Sequence, residues 1–201
     1  MSAKPLQWRE RNPVGERPVR IGVIADTHIL RPDERLPDAV LRAFRGVELI
    51  MHCGDIYHLS CLDHLETLAP VIAVRGYPDP RVPDPRLAEP TRVVEVAGLR
   101  VGMVHDIGWP GPRIKADQTL EMPQDEPLSD VLRQKFGGPV DVVAFGDTHE
   151  ELVETHEGIL FVNPGSPTYP GMRHPMGELG TVAILEIASG QARAEILKLR
   201  S

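Results

Sequence analysis

The chain of 201 residues has only two cysteines, and aromatic residues make up 4% of it. Cys53 and Cys61 fall in or beside apolar segments, which predicts reduced thiols in a cytoplasmic protein. No run of residues is long and apolar enough to span a bilayer, so we expect no membrane association. The N-terminal stretch MSAKPLQWRERNPVGERPVR lacks an apolar signal core, so secretion is not expected.

An excess of positive charge is also absent, because the formal net charge is −7 at pH 7. This balance argues against a broad nucleic-acid surface. It leaves room for a phosphate substrate at a site whose sign is set by bound metal ions. The length suits one domain with a sizeable core, and we expect a tail at residues 1–18 followed by a domain at 19–201.

The first half of the chain alternates short apolar strands with amphipathic helices. Strands are predicted at residues 19–25, 47–54 and 70–76, and helices at 37–46 and 59–69. This β-α-β-α-β order implies parallel strands joined by right-handed crossovers.

In the second half the pattern changes to antiparallel strands, with hairpins predicted around Gly98, Glu157-Gly158 and Ser189-Gly190. A further helix is predicted at residues 128–138 and a strand at 140–146. Residues 107–127, which lie between the first hairpin and this helix, are rich in proline and glycine. They are predicted to form a long functional or mobile loop. The combined pattern predicts an α/β protein with two packed mixed sheets and helices outside.

The triplet Asp-Thr-His occurs twice, at Asp26-Thr27-His28 and at Asp147-Thr148-His149, and each follows an apolar strand. The flanking sequences do not match, so an internal repeat is not indicated. Further strands end in Gly54-Asp55, Gly76-Tyr77-Pro78-Asp79 and His105-Asp106. Because ligands bind at the carboxyl ends of strands in open α/β sheets, we expect these segments to form one site.

The residue types at these strand ends suggest divalent metal ions. In an extended tail, Asp26 and His28 project to the same side. Carboxylate oxygen with imidazole nitrogen suits manganese, iron, nickel or zinc. Asp55 could bridge two ions, and paired ions can position a phosphate, generate hydroxide and stabilise a leaving oxygen.

The ordered motifs D-x-H, G-D, G-N-x-[DH], H and G-H-x-H resemble those of calcineurin-like metallophosphoesterases, closest to small bacterial and archaeal phosphodiesterases of the YfcE type. The resemblance extends from Val19 to about Leu199. It implies a four-layer α-β-β-α sandwich and two divalent metal ions, with Mn²⁺ the first choice and Fe, Ni or Zn as alternatives. It also implies hydrolysis of a small phosphodiester by a metal-bound hydroxide.

By the same resemblance, Asp26, His28, Asp55 and His149 would hold the first ion. Asp55, His105 and Asp147 would serve the second ion and catalysis. At two positions where the family has asparagine and histidine as ligands, this chain has Tyr77 and Asp147. Pro78 also replaces a residue that often assists the leaving group, so we expect an atypical second site.

The carboxylates of Asp26, Asp55 and Asp147 together carry a charge of −3. With neutral histidines, one divalent ion leaves the site with a net charge of −1, and two ions leave it with +1. Histidine at position 147 would leave +2, so weaker attraction of phosphate or a compensating cation is expected. Candidate cations are Arg75, Arg113 and Arg173.

Structural roles compete with these assignments. Asp55 could be a helix cap, His105 a buried hydrogen-bonded histidine and Asp147 a turn residue. Tyr77 fits packing or gating better than metal binding, and Asp79 fits a turn. Asn163 could shape a turn or orient a ligand histidine, and Trp109 could cover the site or fold onto the core. A non-catalytic binding or scaffold protein, like the retromer subunit of this family, is the alternative function.

Overall fold

The computed structural model describes residues 17–88 and 90–200, together with the backbone of Leu6–Gln7. In this part of the chain the elements follow in this order: β1 (Leu6–Gln7), β2 (Val19–Ile24), α1 (Asp38–Ala43), β3 (Leu49–His52), α2 (Ser60–Glu66), β4 (Val71–Val74), β5 (Leu87–Ala88), β6 (Thr91–Val96), β7 (Leu99–Val104), β8 (Arg113–Ile114), β9 (Leu120–Glu121), α3 (Leu128–Phe136), β10 (Val142–Ala144), β11 (Glu151–His156), β12 (Ile159–Pro164), β13 (Thr181–Ala188) and β14 (Gln191–Lys198).

Two six-stranded mixed sheets form the body of the molecule. The first has the order β14-β13-β2-β3-β4-β5, and the second has the order β1-β6-β7-β10-β12-β11. Strands β2 to β5 pair in parallel, as do β7, β10 and β12, whereas β13 joins the first sheet antiparallel to β2. The carboxyl ends of β2, β3 and β4 therefore meet at one edge of the first sheet.

Three apolar clusters hold four layers together. Between the sheets, Ile21 and Met51 of the first pack with Val101 and Val142 of the second. On the outer face of the first sheet, α1 and α2 bury Val40, Phe44, Leu62 and Leu65 among others. On the outer face of the second sheet, α3 buries Leu128, Leu132 and Phe136. The predicted four-layer α-β-β-α fold is confirmed.

The alternation of strand side chains explains why both faces of β2 are apolar. Its residues Ile21 and Val23 belong to the cluster between the sheets, while Ile24 belongs to the cluster under the helices. A strand covered on both sides needs a continuous apolar sequence, as in VRIGVI. The predicted hairpin turns are also present, with positive φ at Glu157-Gly158 (50° and 79°) and Ser189-Gly190 (50° and 73°).

Three short elements were not predicted. Strand β5 pairs with β4, and β1, which lies in the predicted tail, pairs in parallel with β6. The third is the hairpin β8-β9, which lies inside residues 107–127, predicted to be a loop. Most of the predicted tail lies outside the described residues, and its boundary stays a prediction. No helix within residues 17–88 and 90–200 combines the length and apolar character needed to cross a membrane.

Candidate metal centre

The structure brings all six predicted site residues together where β2, β3, β7 and β10 end. His28 Nε2 lies 3.3 Å from Asp55 Oδ2, and His105 Nε2 lies 3.1 Å from Asp55 Oδ1. His149 Nε2 is 3.6 Å from Asp26 Oδ1, and His105 Nε2 is 3.6 Å from Asp147 Oδ1. The two Asp-Thr-His triplets, which belong to different sheets, therefore face one common site.

The backbone at these residues is unusual. Five of the six have positive φ: Asp26 (54°), His28 (46°), Asp55 (58°), Asp147 (75°) and His149 (62°). Residues other than glycine adopt this left-handed region at a cost on the order of 1 kcal/mol each, and functional sites are where such strain concentrates. Main-chain hydrogen bonds hold the conformation, from Asp26 N to Gly54 O (3.0 Å) and from His28 N to Asp55 O (3.1 Å).

Two of the histidines are oriented by carbonyl groups. His105 Nδ1 donates to Cys53 O at 2.8 Å, and His149 Nδ1 donates to Tyr169 O at 2.6 Å. Donation from Nδ1 leaves the Nε2 lone pair of each neutral ring facing the carboxylates, which is the usual arrangement of a metal-binding histidine.

The third histidine is positioned by aromatic rings. The His28 ring lies 4.7 Å from the Tyr57 ring and 5.1 Å from the Tyr169 ring, and it meets His149 edge-on at 4.9 Å. Neither tyrosine was predicted from the sequence to lie at this site. Tyr57 follows Asp55 closely and could have been suspected, but nothing in the sequence places Tyr169 at this site.

Three buried atoms in the centre have no hydrogen-bond partner within the part of the chain that the structure describes. They are Asp26 Oδ1, His28 Nε2 and Asp55 Oδ1. His28 Nε2 and Asp55 Oδ1 have a carboxylate and an imidazole neighbour at 3.3 and 3.1 Å, but no hydrogen bond of good geometry. A buried polar atom without such a bond is unfavourable by about 1–3 kcal/mol. Their ligand atoms form two close groups, Asp26–His28–His149 and Asp26–Asp55–His105, each within 4.8 Å. The donor set therefore fits divalent cations.

The electrostatics of the cation-free centre point the same way. Burial raises the pKa of Asp26 to about 7. Burial alone would lower the pKa of His105, but Asp55 and Asp26 outweigh it and raise that pKa to about 9. Burial would raise the pKa of Asp55, yet the imidazoles of His105 and His28 hold it well below its usual range. The centre retains protons that divalent cations would displace on binding.

Asp55 also depends on a neighbouring glycine. A Cβ atom built on Gly76 would lie 1.8 Å from Asp55 Oδ1 and 2.6 Å from Asp55 N. No larger residue therefore fits at position 76 without displacing the Asp55 carboxylate. Asp79, predicted to form a turn, accepts hydrogen bonds from the backbone of Ile56, Tyr57 and Gly76 at 2.7, 2.9 and 2.8 Å. Its buried carboxylate thus fixes the loops on both sides of Asp55.

Tyr77 and Asp147, which stand where the resemblance implies an asparagine and a histidine, differ in their positions. Tyr77 is 94% exposed, so its side chain neither packs on the molecule nor reaches the centre. Asp147 takes part through its carboxylate, and its backbone N–H donates to Asp26 Oδ2 at 3.2 Å. Burial raises the pKa of Asp147. Asn163 does not orient a ligand histidine, because it donates to Gly146 O (2.9 Å) and Thr148 Oγ1 (3.1 Å) and so supports the loop around Asp147.

The three candidate cations have different environments. Arg173 Nε binds the buried carboxylate of Glu150 at 2.8 Å. Arg75 donates to the carbonyls of Pro80 and Val82 at 2.9 and 2.7 Å. Arg113 is exposed and lines a cleft that also contains Asp147. Trp109 is 93% exposed, so it does not fold back onto the core.

Comparison with known proteins agrees with this fold. Residues 19–190 match the model of the calcineurin-like phosphoesterase superfamily domain. The chain is 37% identical over 180 residues to a probable metallophosphoesterase from Methanothermobacter thermautotrophicus, covering 89% of this chain and 91% of the relative. It is 26% identical over 158 residues to a phosphodiesterase from Methanocaldococcus jannaschii, covering 73% and 83%.

Solved structures share the fold. Vacuolar protein sorting 29 from Cryptosporidium parvum has a TM-score of 0.64 at 16% identity, covering 92% of this chain and 100% of that chain. A Thermotoga maritima protein has a TM-score of 0.59 at 26% identity, covering 90% and 99%. The chain belongs to the calcineurin-like phosphoesterase superfamily, and we class it as a phosphoesterase.

Proposed function

We propose that the protein is a metal-dependent phosphodiesterase with two unequal sites for divalent ions. Asp26, His28, Asp55 and His149 would hold the first ion, and Asp55, His105 and Asp147 the second. The observation that carries the proposal is the convergence of buried ligand atoms on Asp26, His28 and Asp55 that make no hydrogen bond within the described residues. The names of the archaeal relatives, a probable metallophosphoesterase and a phosphodiesterase, support the reaction class.

Divalent ions bound here would supply Lewis-acid polarisation of the phosphoryl group and an acidified water molecule. The residues themselves set the charge. Three carboxylates give −3 and two divalent ions give +4, so the loaded site has a charge of +1 and attracts a phosphodiester anion. Asp55 faces both His28 and His105, which supports a bridging position. His105 and Asp147 would anchor the second ion beside the scissile phosphate.

The second ion should bind more weakly than the first. The exposed Tyr77 leaves this site without the asparagine ligand that the family resemblance implies. Oxygen-rich ligation by Asp55 and Asp147 with one imidazole suits Mn²⁺, our first choice of metal, with Fe, Ni or Zn as alternatives. Cys53 and Cys61 are buried free thiols, which supports the proposed cytoplasmic location.

Metal analysis combined with a generic substrate tests the proposal. Protein stripped with a chelator should not hydrolyse bis(4-nitrophenyl) phosphate, and Mn²⁺ should restore turnover with a requirement beyond one equivalent per chain. Tyr77→Asn should reduce that requirement, whereas Tyr77→Phe, which adds no ligand at the same exposed position, should not. Turnover that survives stripping would exclude a metal-dependent reaction.

The alternative is a catalytically weak binding or scaffold protein. The incomplete second site and the fold shared with vacuolar protein sorting 29 favour it. It predicts tight binding of one ion and no turnover of phosphodiesters at any metal concentration, so the same experiment separates the two functions.

A further inference from the structure

Two clefts extend from the metal centre on either side of one hairpin tip. The first has a volume of about 600 Å³ and lies between β8-β9 and Asp147. The second has a volume of about 540 Å³ and extends past His149 toward Met172 and Arg173. Both are lined by Ala116, Gln118 and Thr148. Clefts that diverge from one centre match a substrate with two ester arms.

Apolar packing and main-chain hydrogen bonds anchor the hairpin β8-β9, which separates the clefts. Ile114 and Leu120 pack into the apolar cluster under α3. The tip is closed by hydrogen bonds from Lys115 N to Thr119 O and from Gln118 N to Lys115 O, both 2.9 Å. Because this hairpin is anchored in the core, it can fix the directions of the two ester arms of a substrate.

The clefts differ in their available charge. Arg113 and Lys115 line the first cleft, and within the described residues Arg113 forms no ion pair. Lys115 Nζ lies 3.8 Å from Asp117 Oδ2 in a loose, exposed pair. In the second cleft the guanidinium of Arg173 is already neutralised by Glu150. Uncommitted positive charge is therefore concentrated in the first cleft.

The carboxylates of the first cleft do not cancel this charge. The lining includes Asp106 and Asp147 as well as Arg113 and Lys115. Under the proposed function Asp147 is occupied by a metal ion. Lys115 is offset by Asp117, and Asp106 is offset by Lys135, whose Nζ donates to Asp106 O at 3.3 Å. Arg113 then leaves a balance of +1 in this cleft. Asp106 Oδ1 already accepts a hydrogen bond from Gly108 N at 2.6 Å.

We propose that the cleft beside Arg113 is a subsite for an anionic group, a carboxylate or a second phosphate, on one arm of the phosphodiester. The cleft beside Met172 takes the uncharged arm. This inference rests on the proposed function and adds a substrate class to it, namely diesters that have a second negative charge a few bonds from the scissile phosphorus.

A matched pair of substrates tests the subsite with the Mn²⁺-loaded enzyme. The probes are 4-nitrophenyl 3-carboxypropyl phosphate and 4-nitrophenyl butyl phosphate, which differ in the terminal charge. The wild type should have the higher kcat/KM for the carboxylated probe, mainly through KM. Arg113→Met should reduce this preference by about fivefold, since exposed ion pairs contribute up to about 1 kcal/mol. Arg113→Lys should retain part of it, and the preference should fall as salt rises.

Arg45→Met is the control, because Arg45 is an exposed arginine outside both clefts. Calorimetric binding of 3-carboxypropylphosphonate against butylphosphonate gives a second readout without turnover. Equal kcat/KM for the two probes, or a preference unchanged by Arg113→Met, would overturn the subsite while leaving the phosphodiesterase intact. Failure to hydrolyse either probe would overturn the proposed function instead.

Discussion

At the residue scale, the centre combines a fully buried carboxylate, Asp26, with a half-buried one, Asp55, and their pKa values are shifted in opposite directions. Asp26 is fully buried and its pKa is raised to about 7. Asp55 is held ionised by two imidazoles, which keep its pKa below the usual range despite its burial. The raised pKa means that the ionised form of Asp26 destabilises the metal-free protein, and a bound cation would offset this cost.

Asp26→Asn should stabilise the cation-free protein while it removes a metal ligand. Because the pKa of Asp26 is higher in the folded protein than its unfolded value of 3.8, the free energy of unfolding falls as pH rises from about 4 to about 7. The asparagine variant avoids this loss, so its advantage in stability should be largest above pH 7. We expect a gain on the order of 2 kcal/mol in the free energy of unfolding at pH 8 and little at pH 4. Denaturant unfolding with chelator measures it, with Asp33→Asn on the surface as control. A gain that does not depend on pH would contradict the assignment.

Gly76→Ala should disrupt the centre through Asp55 without replacing any proposed ligand. The added methyl group would lie 1.8 Å from Asp55 Oδ1, so the carboxylate must move. Metal affinity, measured by calorimetry, should fall at least tenfold. In the control Gly138→Ala, the new Cβ meets only the end of the flexible Arg100 side chain, and metal binding should be unchanged. Wild-type affinity in Gly76→Ala would mean that Asp55 is not a ligand.

Asp147→Ala separates a ligand from a turn residue. If Asp147 binds the second ion, the variant should keep the first ion and lose turnover by about a hundredfold or more. Equilibrium dialysis with Mn²⁺ and steady-state kinetics give the two values. Full turnover with two ions bound would reduce Asp147 to a structural role.

At the element scale, the predictable parts are those with strong local signals. The turn at Ser189-Gly190 has positive φ at both residues, as its sequence indicates. The hairpin β8-β9 was missed because each strand has two residues and the flanking prolines and glycines suggest a loop. Its position depends on long-range packing of Ile114 and Leu120 against the core, which no local pattern shows.

Replacing the tip at residues 115–119 with a two-residue Asn-Gly turn should merge the two clefts. We expect the preference between substrates with different ester arms to change severalfold while Mn²⁺ affinity stays within twofold, since the tip contains none of the proposed ligands. Replacing the distant turn at Ser189-Gly190 with Asn-Gly is the control. Loss of metal with unchanged turnover of small substrates would show that the hairpin belongs to the centre itself.

At the scale of the whole molecule, the site exists because two sheets present parallel strand ends at one edge. This arrangement allowed Asp26, His28, Asp55, His105, Asp147 and His149 to be predicted from their positions after apolar strands. The contact of Tyr169 with His28 could not be predicted, because Tyr169 reaches the ring from a loop far away in the chain, whereas Tyr57 lies two residues after Asp55. Likewise, the sequence showed that Tyr77 departs from the family but not that its side chain points into solvent.

Anomalous diffraction from crystals soaked in Mn²⁺ tests the two-ion centre most directly. We predict two peaks, a stronger one among Asp26, His28, Asp55 and His149, and a weaker one among Asp55, His105 and Asp147. The weaker peak should disappear in Asp147→Ala crystals under the same soak. The absence of any peak beside Asp26 and Asp55 at saturating Mn²⁺, or peaks only elsewhere on the molecule, would contradict the metal centre.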